Sequence, residues 1–358
     1  MKILMFGMSS YPGGIENYIA NYFLCEEIAK KISIDFVTYE NKLAYEEKIK
    51  AYGYKVKTVP HLKKHPLGYI RAVKKLLKEN HYDCVYVNML SAANIIPIKY
   101  ATKYRIEKIV AHAHANSTVN GFLRNFLHGR NKKYCKKKAN VKFACSKEAG
   151  IWLFDEEACE IIPNAIDITR FSFSAKNRKE IRGNHGVLED TLLIGHVGRF
   201  ADEKNHAFLI DVFNSLKQRI KSPVKLMLVG DGAGRGTIEE KVERLGLKEE
   251  VIFVGTSNET EKYYSAFDYF VFPSIFEGFG MAALEAQVSG LTCFCANGLS
   301  NELNLFGRVQ FLGLDIGANA WADHITLEIL KKTDRKDIKI PARFDINNQR
   351  GKILEILQ

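Results

Sequence analysis

The stretch YFVFPSIFEGFGMAALEAQVSGLTCFCAN, residues 269–297, contains a strand, a loop, a helix and a second strand in immediate succession. Its first and last six residues are mostly apolar and aromatic, as buried strands are. Between them, MAALEAQV favours a helix from about Met281 that stops at Gly290. Gly278 and Gly280 precede this helix, and glycine disfavours helix interiors, so the two indicate a special turn. The stretch therefore predicts one strand–helix–strand unit of a parallel sheet.

The same rhythm runs along the chain in two series, with amphipathic stretches such as 205–220 between short apolar runs. The strand candidates lie at 2–7, 34–39, 55–60, 84–89, 108–114 and 141–146, and again at 192–198, 225–232, 251–255, 269–274 and 292–297. Two such series predict two doubly wound, Rossmann-like α/β domains. Open parallel sheets bind ligands beyond the carboxyl ends of their strands, so we expect a site in a cleft where the two domains face each other.

The stretch 172–190 separates the two series; it is polar, charged and without a clear period. We assign residues 1–165 to an N-terminal domain and residues 166–344 to a C-terminal domain. Residues 345–358 read as a terminal helix, which we expect to pack back on the N-terminal domain.

Composition indicates a folded, soluble protein: the chain has 358 residues, 46% apolar and 26% charged. No uncharged apolar run reaches about 18 residues, so no membrane span is expected. The start MKILMFGMSSYPGG reads as a strand and loop rather than a signal peptide. Cysteines are odd in number and form no CxxC pair, which favours a reducing cytosol. They are Cys25, Cys84, Cys135, Cys145, Cys159, Cys293 and Cys295.

The net charge of +11 belongs to the first half of the chain. Residues 1–165 contain 27 Lys and Arg against 15 Asp and Glu, whereas the remainder contains 25 against 26. The charge is densest in RNFLHGRNKKYCKKK, residues 124–138. A solvated basic face, a surface for anionic lipid headgroups and a nucleic-acid site are the possible explanations. The aromatic platforms and folds of nucleic-acid binders are not visible, so we expect no nucleic-acid partner.

Two glycine-rich segments follow strands. Gly13 and Gly14 precede a helical pattern, whose first N–H groups favour an anion, although a tight turn alone would also explain them. GDGAGRG at 230–236 lacks the last glycine of a dinucleotide fingerprint, because Arg235 or Thr237 occupies that position. This argues against a hydride-transfer enzyme. We still expect its first glycines to line the cleft, in a turn that lets a partner approach the backbone.

GHVGRFADEKNH at 195–206 places Arg199 and Lys204 in the loop after a strand. Two cations without an obvious acidic partner at a buried strand end predict an anion site. An ordinary charged surface loop is the alternative.

Glu277 and Glu285 lie on either side of the turn at Gly278 and Gly280. The N–H groups of this turn and the helix dipole favour a phosphate. Eight helical residues rise about 12 Å, so the two carboxylates are spaced at roughly the reach of a diphosphate. Since phosphate repels carboxylate, we expect one to face sugar hydroxyls and the other to face ribose hydroxyls. One solvated and one structural glutamate is the alternative.

Four segments together resemble the retaining glycosyltransferases of family 4, which have the GT-B fold. They are PGGIEN at 12–17, IIPNAIDITRF at 161–171, GHVGRFADEKNH at 195–206 and the E-x7-E element from Glu277 to Glu285. ACSKEAGIWLF at 144–154 is also similar to bacterial members that build exopolysaccharide and capsule. The resemblance covers nearly the whole chain.

The resemblance implies that Arg199 and Lys204 hold the diphosphate of a nucleotide-sugar donor. It also implies that Glu285 binds the ribose hydroxyls and that Glu277 contacts the donor sugar. The backbone of the turn and helix start would contact phosphate and sugar, through Gly278, Phe279, Gly280 and Met281.

In the N-terminal domain, which holds the acceptor in this family, the resemblance implies that Gly13 and Gly14 close the donor site. A histidine after a strand of this domain commonly touches the sugar. AHAHAN offers His112 and His114, and we favour His114.

The chain departs from the family pattern in the strand after E-x7-E. Thr292 stands where a proline is usual and Asn297 where aspartate is frequent, while Glu302 keeps its place. These changes lie near the expected position of the leaving nucleotide and leave the identity of its base open.

We therefore expect a cytoplasmic enzyme that transfers a hexose from a UDP-sugar to a glycan acceptor with retention, in exopolysaccharide or capsule synthesis. A polyprenyl-diphosphate-linked acceptor would meet residues 124–138 at the inner membrane face. No D-x-D motif occurs, so no metal and no cofactor besides the donor are expected. Glu277, Arg199, Lys204 and His114 are the candidate catalytic residues. A nucleotide-sugar epimerase and a non-catalytic scaffold of the same fold are the alternatives.

Overall fold

A computed structural model describes residues 1–11, 13–115, 122–155, 159–277, 279–299, 301–305, 307–331, 335 and 340–358, with the backbone alone at 122, 123 and 302. The chain forms two compact units. The N-terminal unit comprises residues 1–165 and 342–358, and the C-terminal unit comprises residues 166–341.

The described strands of the N-terminal unit form one parallel sheet, in the order β3-β2-β1-β4-β5-β6-β7. They are β1 Lys2–Phe6, β2 Ser33–Thr38, β3 Lys55–Thr58, β4 Cys84–Met89, β5 Lys108–Ala113, β6 Val141–Ala144 and β7 Glu160–Ile161. The helices are α1 Gly14–Phe23, α2 Glu26–Ala29, α3 Glu46–Ala51, α4 Pro66–Glu79, α5 Ile96–Lys103, α6 Phe122–Lys138 and α7 Lys147–Phe154, and α15 Ile346–Leu357 from the end of the chain.

Strand β1 shows why both faces of this sheet are covered by helices. Successive side chains of a strand point to opposite faces. Ile3 and Met5 enter one buried apolar cluster, while Leu4 and Phe6 enter the other. A continuous apolar run is therefore the expected sequence of a strand at the centre of a doubly wound sheet.

Helix α15 packs on the N-terminal unit. Ile353 and Leu357 lie in the same apolar cluster as Ile3. The guanidinium Nε of Arg350 donates a hydrogen bond to the carbonyl oxygen of Asn21 at 2.9 Å. The end of the chain thus contributes to the core that the beginning of the chain forms.

The described strands of the C-terminal unit form a second parallel sheet, in the order β10-β9-β8-β11-β12-β13. They are β8 Leu192–Val197, β9 Val224–Val229, β10 Val251–Gly255, β11 Tyr269–Phe272, β12 Thr292–Ala296 and β13 Val309–Leu312. The helices are α8 Ile168–Phe171, α9 Ala175–Asn184, α10 His206–Arg219, α11 Arg235–Arg244, α12 Thr260–Ala266, α13 Met281–Val288 and α14 Gly317–Leu330.

Helix α9 lies in the polar stretch that shows no period in the sequence. The Ser174 hydroxyl caps its first turn by accepting a hydrogen bond from the amide of Asn177 at 3.2 Å. Arg178 and Arg182 anchor the helix through ion pairs to Asp268, at 2.9 and 3.3 Å. Charged contacts rather than an apolar stripe therefore fix this helix, which explains why hydrophobic periodicity does not predict it.

The basic segment 124–138 lies on α6. Phe126, Arg130, Lys133 and Lys137 are exposed and follow one another at helical spacing. Lys132 forms an ion pair with Asp155. Within the described ranges, the helices are too short or too polar to cross a membrane.

Candidate functional site

The strand order of the C-terminal unit reverses at β8, which has β9 on one side and β11 on the other. Loops after two such strands leave the carboxyl edge of the sheet side by side, at the usual place for a ligand. The loop after β8 carries Arg199 and Lys204, and the loop after β11 carries Glu277. The amide of Ile275 donates a hydrogen bond to the carbonyl oxygen of Glu203 at 2.8 Å, so the two loops are in direct contact.

Lys204 and Glu277 form an ion pair between these loops. Their side chains are only 18% and 14% exposed. The Lys204 Nζ also lies 5.2 Å from the centre of the Phe272 ring, within reach of a cation–π interaction. Removing either partner would leave the other charge largely buried without compensation. The cation expected to bind a phosphate and the carboxylate expected to bind a sugar thus neutralise each other in this structure.

Two buried histidines lie beneath the loop that carries Lys204. The Nδ1 of His196 is 2.8 Å from the carbonyl oxygen of Val271, which can only accept, so Nδ1 carries the proton. The Nε2 atoms of His196 and His206 are buried without a hydrogen-bond partner among the described residues. Burial, followed by the charge of Lys204, lowers the pKa of His206 to about 4. Burial also lowers the pKa of His196, so neither ring adds positive charge to the site at neutral pH.

Arg199 is the exposed cation of the site, with 62% of its side chain accessible. Its guanidinium pairs with Glu203, four residues further along the loop, at 2.8 Å. Such surface pairs contribute at most about 1 kcal/mol, so Arg199 can exchange this partner for a ligand at little cost.

The glycines of the GDGAGRG segment serve the packing of the β8 loop. A Cβ atom on Gly230 would lie 2.0 Å from the carbonyl oxygen of Gly198, and one on Gly232 would lie 2.6 Å from that of Phe200. The φ angle of Gly230 is +142°, which side chains rarely tolerate. The loop that carries Arg199 is therefore a partner that approaches this turn closely.

The turn before α13 positions the start of that helix. Gly280 adopts a φ of +89°, and a Cβ there would meet Leu303 at 3.3 Å, so only glycine fits without strain. Among the residues that the structure describes, no side chain caps this helix start. Phe279 precedes the turn, and Met281 is the first residue of α13. Gly278, the remaining member of the expected phosphate and sugar contact, lies outside the described residues.

Glu285 is a partly exposed residue of α13 that lies five residues after Gly280. Tyr264 donates a hydrogen bond to its Oε2 at 2.8 Å. Burial raises the pKa of Glu285 to about 7, whereas the Tyr264 hydrogen bond and the charge of Arg170 lower it. The carboxyl group can therefore change its protonation state near neutral pH.

In the N-terminal unit, His114 is partly exposed just after β5 and is held by Asn88. The amide nitrogen of Asn88 donates to the carbonyl oxygen of Phe6 at 3.0 Å, so its Oδ1 is the atom that lies 2.9 Å from His114 Nε2. Because Oδ1 can only accept, Nε2 carries the proton and Nδ1 retains a lone pair. Burial lowers the pKa of His114 to about 3, which keeps the ring neutral.

His112, the alternative to His114, has no exposed surface. Its Nδ1 is 2.8 Å from the hydroxyl of Tyr86, which in turn lies 3.0 Å from the hydroxyl of Tyr18. The rings of His112 and His114 are 4.0 Å apart. His112 belongs to the core beneath His114, and the accessible member of the pair is His114.

The start of α1, where Gly13 and Gly14 were expected to receive an anion, already has a carboxylate beside it. The Oε2 of Glu16 lies 2.8 Å from the position of a Cβ on Gly13. Its Oε1 accepts a hydrogen bond from the amide of Ser9 at 2.8 Å. Glu16 is buried and occupies the first turn of α1, where negative charge is favourable.

Comparison with known proteins identifies both halves of the chain. Residues 12–170 match the family model described as Glycosyltransferase Family 4, and residues 177–339 match the one described as Glycosyl transferases group 1. The chain is 32% identical to EpsF of Bacillus subtilis, which bears the name of a glycosyltransferase, over 87% of this chain and 84% of that protein. It is 26% identical to the UDP-Gal:alpha-D-GlcNAc-diphosphoundecaprenol alpha-1,3-galactosyltransferase of Escherichia coli, over 78% of this chain and 73% of the other.

Solved structures show the same fold at low sequence identity. Anabaena HepE in complex with UDP aligns with a TM-score of 0.82 and 20% identity, over 100% of this chain and 99% of that one. TarM aligns with a TM-score of 0.67 and 14% identity, over 100% and 96% of the two chains. The expected α/β fold with two parallel sheets is confirmed. The chain belongs to the GT-B glycosyltransferases, with an N-terminal half of family 4 and a C-terminal half of group 1.

Proposed function

We propose that this glycosyltransferase transfers a hexose from a UDP-sugar to a glycan acceptor with retention of anomeric configuration, in the synthesis of exopolysaccharide or capsule. Two relatives support this choice. HepE is crystallised with UDP, and the galactosyltransferase of Escherichia coli takes UDP-Gal and a diphosphoundecaprenol-linked acceptor by name. The observation that carries the proposal is the pairing of Lys204 with Glu277 where the strand order reverses.

Arg199 and Lys204 supply positive charge to the donor diphosphate, together with the N–H groups at the start of α13 from Met281. Glu277 accepts hydrogen bonds from the donor sugar, and Glu285 accepts them from the ribose. Both carboxylates need neutral partners, because a phosphate would repel them.

The remaining predicted contacts belong to the same proposal. Gly278, Phe279 and Gly280 present backbone groups to the phosphate and the sugar. In the N-terminal unit, Gly13 and Gly14 contribute backbone groups to the donor, and His114 offers its Nδ1 lone pair to a sugar hydroxyl.

In the reaction, the bond from the anomeric carbon to the diphosphate oxygen breaks, and a bond to the acceptor oxygen forms on the same face of the sugar. The departing phosphate takes the proton of the acceptor hydroxyl, so no covalent enzyme intermediate is required. Arg199, Lys204 and the α13 start stabilise the charge on the leaving diphosphate. Losing one such group costs on the order of 10²–10³ in rate. We propose that these groups act without a metal ion.

Release of UDP from a panel of UDP-sugars, measured with EDTA present, tests the proposal. We expect turnover of at least one donor and a loss of about 100-fold or more in Lys204→Ala. Lys241→Ala is the matched control, because Lys241 is also 18% exposed and pairs with Asp211 at 2.6 Å on neighbouring helices. Near-normal turnover of Lys204→Ala would contradict the phosphate assignment. UDP binding without turnover of any donor would favour a non-catalytic scaffold.

The acceptor is proposed to be a polyprenyl-diphosphate-linked glycan that α6 meets at an anionic membrane surface. The exposed face of α6 combines Phe126 with Arg130, Lys133 and Lys137, and no ion pair is seen for these three cations among the described residues. Each well-placed cation near an anionic bilayer contributes about 1 kcal/mol. This surface would place the enzyme in the cytoplasm at the inner face of the membrane.

Sedimentation with vesicles tests this surface. The triple variant Arg130→Gln, Lys133→Gln and Lys137→Gln should lose most of its binding to vesicles that contain anionic lipid. A control variant with three exposed lysines replaced elsewhere in the N-terminal unit, at Lys63, Lys64 and Lys103, should retain it. Equal binding to neutral and anionic vesicles would contradict the proposal.

A further inference from the structure

Tyr264 lies behind the predicted ribose-binding carboxylate and has no solvent-exposed surface. It belongs to α12, and its hydroxyl donates to Glu285 Oε2 on α13 at 2.8 Å. Because a carboxylate only accepts hydrogen bonds, the Tyr264 hydroxyl must be the donor and its hydrogen must point at Glu285.

Three aromatic rings hold the Tyr264 ring in place. Phe270 lies 5.6 Å away between ring centres, and Phe171 and Phe267 each lie 6.0 Å away. Burial raises the pKa of the Tyr264 hydroxyl well above its usual value, so it stays protonated at every pH of interest. The hydroxyl is therefore a fixed donor on a fixed ring.

Glu285 has a second oxygen that this contact leaves available. Among the described residues, no hydrogen bond to Oε1 is found, and the side chain is partly exposed. The charged groups that act on Glu285 are Arg170 of α8, which favours the ionised form, and Glu261 of α12, which disfavours it. Tyr264 adds a hydrogen bond that favours the ionised form. Glu285 is thus oriented through one oxygen and open through the other.

We propose that Tyr264 is a positioning residue for nucleotide binding, which holds the Glu285 carboxylate so that Oε1 accepts a hydrogen bond from a ribose hydroxyl. The inference rests on the proposed binding of a UDP-sugar in the C-terminal unit. It assigns discrimination between ribose and deoxyribose to two residues that lie on different helices.

Binding of UDP, 2′-deoxy-UDP and 3′-deoxy-UDP by calorimetry at pH 6, 7 and 8 tests this role. The quantity of interest is the ratio of dissociation constants for each deoxy analogue and UDP. The diphosphate titrates alike in all three ligands, so its protonation does not change the ratio. An inactive fraction of the protein affects the three measurements equally and also cancels. We expect the wild-type protein to bind UDP about 10-fold more tightly than at least one analogue at pH 8. This preference should decline toward pH 6 as Glu285 takes up a proton.

Tyr264→Phe removes the donor and keeps the ring. We expect this variant to prefer UDP over the deoxy analogue by about threefold or less at pH 7. The pH at which the preference is half lost should move to a higher value, because Glu285 loses a hydrogen bond that favours its ionised form. The KM for the donor should rise while kcat stays within about twofold, because the ribose contact is the same in the ground and transition states. Tyr269→Phe is the matched control, since its hydroxyl donates a hydrogen bond to the backbone carbonyl of Glu328 at 3.4 Å and not to a carboxylate of the proposed site.

Glu285→Gln separates the proposed binding of ribose at Glu285 from the proposed positioning role of Tyr264. If Glu285→Gln leaves the preference for UDP unchanged, the placement of the ribose at Glu285 is wrong, and the proposed function loses this contact. If Glu285→Gln abolishes the preference but Tyr264→Phe retains the wild-type ratio at each pH, the positioning role of Tyr264 is wrong. In the double variant, we expect the loss caused by Glu285→Gln alone and no more.

Discussion

At the scale of single residues, the ion pair of Lys204 and Glu277 links two functions of the proposed donor site. A diphosphate must draw Lys204 away from its carboxylate partner, and Glu277 then needs a neutral hydrogen-bonding group such as a sugar hydroxyl. A complete nucleotide sugar supplies both groups, whereas UDP alone supplies only the first. The pair therefore favours the whole donor over its product.

Glu277→Gln tests this competition. We expect the variant to bind UDP about three to ten times more tightly than wild type, because the amide neither holds Lys204 nor repels phosphate. Its turnover should fall by about 100-fold or more, because the sugar loses a charged acceptor. Calorimetry with UDP and a UDP-release assay measure the two effects.

Glu203→Gln is the control for this variant, since Glu203 pairs with the exposed Arg199 and should change UDP affinity less than about twofold. UDP binding that weakens in Glu277→Gln, as we expect for Lys204→Ala, would contradict the competition.

His114 gives a second prediction at this scale. We expect nitrogen NMR of the imidazole to show a neutral ring with the proton on Nε2 from pH 5 to pH 9, since burial lowers its pKa to about 3. In Asn88→Asp the neighbouring carboxylate should raise the pKa of His114, so that protonation of the ring enters this range. A wild-type ring that titrates near pH 6.5, or a proton on Nδ1, would contradict the assignment.

Residue types and spacing point to the charged residues that we propose for the donor site, but not to the groups that contact them. Arg199, Lys204 and Glu277 follow strands, and ionisable side chains at strand ends are visible in a sequence. Tyr264 and His196 form hydrogen bonds with partners on other elements. The partner of Tyr264 is Glu285, 21 residues away in the sequence. Their contacts depend on helix packing, which no local pattern encodes.

At the scale of secondary-structure elements, apolar runs predicted most strands and amphipathic stretches predicted helices such as α10. Strand β13 was missed because only its two end residues, Val309 and Leu312, are buried. Helix α9 was missed because ion pairs to Asp268, rather than apolar residues, hold it in place. Elements that carry less apolar surface leave a weaker signal in the sequence.

The turn after β9 supports the β8 loop through Gly230, which makes Gly230→Ala informative. The new Cβ would lie 2.0 Å from the carbonyl oxygen of Gly198, in a backbone conformation strained for alanine. We expect the free energy of unfolding to fall by about 2 kcal/mol or more and UDP affinity to fall with it, because the Arg199 loop must move. Chemical denaturation and calorimetry measure the two effects.

Gly236→Ala is the matched control, since Gly236 lies in α11 and nothing is within 4 Å of its added Cβ. We expect this substitution to increase stability by about 0.5–1 kcal/mol, as alanine does in helices. If Gly230→Ala behaved like this control, the contact between the two loops would not position the site.

At the scale of the whole molecule, each unit contains two histidines whose surroundings lower the pKa far below its usual value. They are His112 and His114 in one unit and His196 and His206 in the other. Unfolding exposes these rings, whose usual pKa is 6.5, so the unfolded chain binds more protons below that pH. The free energy of unfolding must therefore fall as the pH drops below 6.5. The slope approaches a limit of about 1.4 kcal/mol per pH unit for each histidine as the unfolded rings become fully charged.

Thermal unfolding at pH 7.5, 6.5 and 5.5 checks this expectation. We expect the melting temperature to decrease when the pH is lowered from 6.5 to 5.5. Glu285 acts in the opposite sense, because its pKa is raised to about 7 and its deprotonation costs stability above its usual value of 4.5. The combined effect of the four histidines on the pH dependence of stability exceeds the opposite effect of this one carboxyl group. A melting temperature that is equal or higher at pH 5.5 than at pH 7.5 would contradict the buried neutral state of the rings.

The position of UDP in a crystal of the protein tests the central claim most directly. We predict that the diphosphate lies within hydrogen-bond distance of Lys204 and Arg199 and of the amide at the start of α13, with the Lys204–Glu277 pair separated and the ribose at Glu285. A nucleotide bound elsewhere, with that ion pair intact, would contradict the assignment of the donor site.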